Sequence, residues 1–591
     1  MIVLFNSPGI FENLLARIFL VFETRVFTLG TDNISSSELL FPITFTKKDR
    51  IGFVNHPGTE IIDSFLASDS IEKVIDHFSM FFPKIRESKK KLRHAYASKN
   101  NFFLVGKVDF FLRNEIECDK QVIIIFDAKF SSFISTPFSL LNRKVYHIYL
   151  PFLDTARVLR VALGYLFKKL LNVFSPRISI SDTKFTSCVV DEYKQVAIFF
   201  HKGQSYGKLY RKDHYYSKDP LSMLHESRIR KLSYESDLDQ EILNVDPFID
   251  KKDLMKIVRA IPLNLIFTFL SIRGLKDILI LTFIYMRYLG WRNAIPSLGV
   301  RGVVYDYDIL FPKALSLALE SLEVKTCSLQ ERPITMFYNF HFGVIVDVYY
   351  ASGEIFKKYA DRKPDLLCAK EIISYLPWRL TFFNENRTDE LFSHGRECSI
   401  QSKKTVVFIG YYLDRTNNYP LTCTRATEEF LSYAISCASR HPDYKIIIRM
   451  KMIGDEDLGW FTDKIAEYGN ILLSLDYSDS ATYMLCRDSD LIVSVQSSLV
   501  EECVANGKKV ILLNDLFTVS NLCSGIYPHE FHFMITRSMS EFQHRTQRLL
   551  RDSSFMENEY SELRKKIVGR FALQPSDAIP DMFEQFFVTD T

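Results

Sequence analysis

The chain has 591 residues, with 74 lysine and arginine side chains against 71 aspartates and glutamates, a net charge of +3. Hydrophobic residues make up 47% and charged residues 25%, which excludes wholesale disorder, and the near balance of charge removes any global electrostatic case for nucleic acid. At about 150 residues per domain, the length calls for three or four units, or two large ones, rather than one core. The 50 Phe and 29 Tyr allow a large aromatic core. The ten cysteines stand singly, without a Cys-x-x-Cys pair or a His tract at zinc spacing. That pattern predicts reduced thiols, core filler such as Cys437 and Cys503, and no metal site.

In chain order, residues 1–22 are apolar but lack a basic leader and contain Glu12 and Arg17, so a cleaved signal peptide is not expected. Strand-like runs follow at 1–5, 102–105, 121–126, 145–150 and 195–200. A basic cluster at 84–93, with Lys89, Lys90 and Lys91 consecutive, reads either as a solvated face or as a contact for an anionic membrane surface or polyanionic acceptor. Residues 155–174 form a basic amphipathic helix, with Arg157, Arg160, Lys168 and Lys169 opposite an apolar side. Such a helix packs on a sheet or lies at a membrane interface. Residues 206–246 are polar and read as an exposed excursion, and 251–291 as a helical block buried between layers. Within that block Arg273, Lys276, Asp277 and Arg287 interrupt the apolar run, so none reaches the roughly 18–20 residues a membrane span needs.

From Gly299 the pattern becomes that of a βαβ unit. Val303-Val304-Tyr305 reads as a strand ending at Asp306 and Asp308, residues 312–322 as a helix, and 324–329 as a strand ending at Gln330-Glu331-Arg332. Residues 343–350 read as another strand and 354–359 as a short helix. Around 381–402 the pattern dissolves into Asn, Glu, Arg, Ser and Gly, which marks a boundary. The expected division is a Rossmann-like unit over 1–385 with a divergent, inserted first part, a linker at 386–402, and a second Rossmann-like unit over 403–591.

The second unit alternates strands at 405–409, 446–448, 471–473, 491–495, 510–513 and 533–536 with helices at 424–440, 455–468, 499–506, 538–551 and 555–571. Gly507 stands where a helix C-cap belongs. Ligands of open α/β sheets lie outside the carboxyl ends of the strands, so the residues after each apolar run are the candidates: Arg449 and Lys451, Asp476, Ser497 and Ser498. At a strand-to-helix junction, free amides and the helix dipole suit a phosphate. The plainer readings are a surface salt bridge for Arg449, an N-cap for Ser497 or Ser498 completed by Glu501 or Glu502, and solvated helix surface for the two glutamates.

The order of Asp306/Asp308, the Gln330-Glu331-Arg332 turn, the 349–357 unit, the Ile447-Ile448-Arg449-Met450-Lys451 strand end and the Ser497-Ser498 helix start resembles GT-B glycosyltransferases of bacterial surface polysaccharide synthesis. It is similar also to the CDP-glycerol glycerophosphotransferases, where Gly-Lys follows the serine pair as Gly507-Lys508 does here. The resemblance spans about 299–540 and implies two Rossmann-like domains facing a cleft. It implies a metal-independent glycosyltransferase with no cofactor beyond its nucleotide-sugar donor, cytoplasmic or peripheral at the inner face of the cell membrane. The donor would lie on the second unit, held by Arg449, Lys451, Ser497 and Ser498, with Glu501 or Glu502 on the ribose. A glycan or lipid-linked glycan acceptor would lie on the first, with Glu331, Asp306 and Asp308 as candidate bases and His341 and His529 behind them. A CDP-polyol phosphotransferase and a non-catalytic glycan- or partner-binding protein of the same shape are the alternatives.

Overall fold

The computed structural model describes residues 2–5, 25–28, 69–97, 122–126, 145–149, 178–179, 187–191, 196–200, 243–244, 247–261, 272–305, 312–330, 344–362, 367–375, 404–410, 412–413, 424–450, 452–453, 455–475, 479–495, 497, 499–513, 527 and 529–569. The basic helix expected at 155–174 and the boundary at 386–402 lie outside the described residues, and so does all but the end of the polar excursion at 206–246.

Strands β1 (Ile2–Phe5), β2 (Arg25–Thr28), β3 (Val122–Phe126) and β4 (Val145–Tyr149) form a parallel sheet in the order β2-β1-β3-β4. A short antiparallel pair joins β5 (Ile178–Ser179) to a later strand, β9 (Phe248–Ile249). Strands β6 (Ser187–Asp191), β7 (Val196–Phe200), β8 (Leu243–Asn244), β10 (Gly302–Tyr305), β11 (Lys325–Leu329), β12 (Val344–Ser352) and β13 (Leu367–Tyr375) build a seven-stranded sheet. Its order is β13-β12-β11-β10-β7-β6-β8, parallel from β13 to β7, with β6 antiparallel to both its neighbours.

Helices α1 (Asp69–Ser79), α2 (Ser88–Ala97), α3 (Lys251–Ala260), α4 (Ile272–Ala294), α5 (Lys313–Ser321) and α6 (Glu354–Arg362) accompany this first unit. The 23-residue α4 packs against α1, α2, α3 and α5, and its Leu281, Tyr288, Leu289 and Trp291 are buried. Phe82 meets Tyr288 with ring centroids 4.6 Å apart and Tyr285 edge-on at 5.3 Å, so the aromatic abundance of the sequence is spent in part at this helix junction. The later part of the expected helical block is thus buried, whereas α3 at its start keeps an exposed face with Met255 and Val258 on it. Among the described residues no helix is long and apolar enough to cross a membrane.

The second unit is a six-stranded, wholly parallel sheet of β14 (Lys404–Ile409), β16 (Tyr444–Arg449), β18 (Ile471–Ser474), β19 (Leu491–Ser494), β20 (Val510–Leu513) and β21 (Ile535–Thr536). Two further short strands, β15 (Tyr412–Leu413) and β17 (Met452–Ile453), pair in parallel beside it. The order is β18-β16-β14-β19-β20-β21. Counting these six along the chain, that is 3-2-1-4-5-6, the Rossmann arrangement. Val406, Val407 and Phe408, Ile446 and Ile448, and all of Val510–Leu513 are buried, as strands covered on both faces require. The covering helices are α7 (Thr424–Arg440), α8 (Asp455–Ile465), α9 (Asp479–Arg487), α10 (Leu499–Ala505), α11 (Met539–Arg551) and α12 (Glu557–Val568). The α/β class with two Rossmann-like sheets is therefore the observed one.

One element departs from expectation. Residues 533–536 were expected as one strand, but His529–Met534 form a 3-10 helix and only Ile535–Thr536 pair. Phe531 and Met534 are buried by that helical turn, a spacing of three that suits a 3-10 repeat rather than alternation. The last helix among the described residues, α12, touches both units. It packs on α10 and on α6, and the carbonyl of Ile567 lies 3.0 Å from where a Cβ on Gly353 would stand.

Candidate functional site

Strand order in the second sheet reverses between β14 and β19, the place where an open α/β sheet leaves a crevice at its carboxyl edge. Register puts Arg449 on one side of Ile409 and Ser494 on the other, with Ser474 beyond Arg449. Neighbouring strands lie about 4.8 Å apart, so Ser474 and Arg449, then Ser494 beyond Ile409, place polar groups along the carboxyl edge of the sheet. The Ser494 hydroxyl donates to the Ile409 carbonyl at 3.3 Å, across the reversal itself.

Arg449 is 4% exposed, so it is not a surface group as the plain reading had it. Its guanidinium donates to the carbonyl of Met450 at the strand tip. An anion arriving at this edge must compete with that carbonyl. Lys451 and Ser498 lie outside the described residues, as does Asp476.

The junction after β19 differs from the expected cradle of free amides. The amide of Ser497 donates to the Tyr527 hydroxyl at 3.2 Å, and that hydroxyl donates back to the Ser497 carbonyl at 2.9 Å. The Ser497 hydroxyl accepts from the Leu499 amide at 3.1 Å, and the Val500 amide reaches the Ser497 carbonyl at 3.3 Å. Amides that sequence alone leaves orphaned at a helix start are here satisfied from within the protein. The helix they open has only seven residues. It closes as expected on Gly507 at φ +75°, with Gly507 N donating to the Val504 carbonyl and Lys508 N to that of Cys503, a Schellman end. Lys508 Nζ donates to the Ser489 carbonyl at 3.0 Å, which ties the Gly-Lys step to the start of β19.

Glu501 and Glu502 are neither solvated nor capping groups: they are 0% and 1% exposed. Glu502 Oε2 accepts from the Tyr483 hydroxyl at 2.5 Å. Neither carboxyl oxygen of Glu501 is hydrogen-bonded to another residue. Burial pushes the Glu501 carboxyl well above its ordinary value, its own amide opposing and the Glu502 charge adding to the rise. Burial of this kind favours the neutral acid, a form able both to donate and to accept a hydrogen bond.

On the first unit, Asp306, Asp308, Glu331 and His341 lie outside the described residues. The strands leading to them end where expected, β10 at Tyr305 and β11 at Leu329. Gln330 is 2% exposed and faces inward, its Oε1 accepting from the Ser352 backbone amide at 2.8 Å while its backbone N–H donates to the Tyr350 carbonyl. Gln330 therefore clamps the ends of β11 and β12, a role the sequence did not suggest. His529 is exposed at the start of its 3-10 turn, beside His532. Tyr483 and Tyr527 also escaped sequence reading, since each meets its partner from 19 or 30 positions away and no local spacing marks it.

Other expected groups resolve simply. In the basic cluster, Lys89 pairs with Asp76, Lys91 with Glu320 at 2.6 Å and Arg93 with Glu72, so these cations serve to hold α2 in place. Cys437 and Cys503 are buried core thiols. Among the described residues no group of three or more His, Cys, Asp or Glu is placed to hold a metal.

No protein-family model and no curated protein matches the sequence. Among solved structures the chain is similar to the UDP-GlcNAc 2-epimerase from Neisseria meningitidis bound to UDP-GlcNAc, at 13% identity and TM-score 0.33, over 52% of this chain and 81% of that one. It is similar also to S. aureus MnaA with UDP, at 12% identity and TM-score 0.37 over 52% and 81% of the two chains. Acinetobacter baumannii MurG matches at 11% identity and TM-score 0.31 over 51% and 80%.

Proposed function

We propose that this chain is a glycosyltransferase that takes its nucleotide-sugar donor at the carboxyl edge of the six-stranded sheet. The observation that carries the reading is the reversal of strand order between β14 and β19, with Arg449 and Ser494 on either side of it. Transfer requires an acceptor hydroxyl to attack the sugar's anomeric carbon while the bond to the phosphate oxygen breaks, so negative charge develops on the departing nucleotide. Arg449 is the group suited to that charge through a charge-assisted hydrogen bond, with Lys451 and Ser498 assigned to the same task. Glu501 or Glu502 would bind the ribose hydroxyls once donor binding opens this edge, since both are buried; Glu501 has no bond to another residue to give up. Glu331, Asp306 and Asp308 remain the proposed bases on the first unit, each effective if burial raises its pKa toward the working pH. The acceptor we assign is a growing cell-surface polysaccharide or glycolipid.

The test is thermal stabilisation of the full chain by UDP, GDP, CDP and CMP, followed by slow hydrolysis of the matching nucleotide sugar. One nucleotide should raise the melting temperature of the wild type, and Arg449→Met should lose most of that rise while keeping the fold. A chain stabilised by none of the four nucleotides would overturn the reading, and CDP-glycerol turnover with release of CMP would replace it with polyol-phosphate transfer.

A further inference from the structure

Among the described residues three large apolar side chains stand more than half exposed: Met80 at 67%, and Met255 and Val258 at 56% each. Met255 and Val258 lie three positions apart on α3, hence side by side on its outer face. Lys251, one turn before Met255, and Arg259, one turn after it, share that face, and Lys252 borders it; all three are exposed. None of the three cations has an acidic partner among the described residues.

Among the described residues, the carboxylates of α3 and its cap are turned away from this face. Asp253 is 1% exposed and turned inward, bonded to Asn293 Nδ2 at 2.5 Å and to Lys256 at 2.6 Å. Asp250 serves as N-cap, accepting the Asp253 amide at 2.8 Å. Ile257 and Ala260 anchor the opposite side in the core. At its end α3 is joined to α1 by His77 Nε2 and the Ala260 carbonyl, 3.1 Å apart. That joint sets the turn carrying Met80, with exposed Lys84 and Arg86 just beyond it, beside the end of α3.

We propose that the outer face of α3 docks on an anionic lipid bilayer, Met255 and Val258 entering the headgroup boundary and Lys251, Lys252 and Arg259 meeting lipid phosphates. The chemistry favours a bilayer over a protein partner. Two isolated apolar points ringed by long cationic side chains suit an interface into which the stems sink while the charges stay at headgroup level. A protein–protein interface core is instead depleted of charge and apolar over a wider patch. The inference stands apart from the nucleotide-sugar reading, since it concerns a different surface and a different measurement.

The experiment is co-sedimentation of the full chain with phosphatidylcholine vesicles, with and without phosphatidylglycerol. Wild-type chain should pellet with the anionic vesicles only, and added salt should release it. Lys251→Gln/Lys252→Gln/Arg259→Gln should weaken partitioning by on the order of a hundredfold, at about fivefold per cation removed. Met255→Ser/Val258→Ser should weaken it while preserving the salt dependence. These side chains are exposed, so melting temperatures should match the wild type. Wild-type chain remaining in the supernatant with anionic vesicles would overturn the proposal, whatever acidic protein it binds, and so would either variant pelleting like the wild type.

Discussion

The Tyr483 hydroxyl lies 2.5 Å from Glu502 Oε2, joining α9 to α10 inside the second unit. Glu502 is 1% exposed, so its charge depends on donors of this kind rather than on water. Tyr483→Phe deletes the donor and little else. It should destabilise the second unit by about 1–3 kcal/mol, read as a lower urea midpoint.

Glu501 gives a pH signature of opposite sense to most carboxylates. Its folded-state pKa is raised well above 4.5, so the folded chain holds a proton that the unfolded chain has already released. Stability should therefore fall as pH rises from about 4.5 toward the raised value. Glu501→Gln keeps the shape and removes the titration. The variant should show a flatter urea-midpoint profile above pH 4.5 and equal or higher stability at neutral pH.

His94 works the other way. Burial, reinforced by Lys90, Lys313 and Arg93, lowers its pKa from 6.5 to about 3. Between those values the unfolded chain binds a proton the folded chain refuses, so stability should be full above pH 6.5 and drain away on acidification toward 3. His94→Gln should flatten the acid limb of thermal melts recorded across that window.

Two glycines should respond unequally to alanine. Gly507 sits at φ +75° with only Arg564 Nη1 near, 3.6 Å from an added Cβ, so Gly507→Ala should cost about 1 kcal/mol for the left-handed backbone alone. Gly353 sits at φ +92° and an added Cβ would meet the Ile567 carbonyl at 3.0 Å and its Cα at 3.2 Å, main-chain atoms that cannot swing aside. Gly353→Ala should cost more, on the order of 2–3 kcal/mol, and should speed proteolysis near α12 by loosening its seat on the first unit.

Sheet strands were the most legible part of the sequence, because burial on both faces turns β14, β16, β19 and β20 into short, unbroken apolar runs. The Thr424–Arg440 helix and the Gly507 end were equally plain, each carrying a local signal in periodicity or backbone need. β13 went unrecognised: with Ala369 to Ile373 only half-buried or exposed at the sheet's edge, Leu367–Tyr375 lacks the dense apolar core of its neighbours. At the site, position was readable and pairing was not. Arg449 closes β16, Ser497 follows β19, and Glu501 and Glu502 lie in the helix after it, as the sequence pattern placed them, but Tyr527 taking the Ser497 amide and the inward burial of both glutamates depend on distant residues.

The seat that α12 makes against Gly353 also orders events in time. While the ribosome is still threading out the second unit, the first can pair its strands, yet the side of Gly353 that faces Ile567 lacks that contact until Ile567 emerges. A nascent chain stalled before α12 should thus carry an unfinished surface that chaperones can hold, and emergence of α12 should release it.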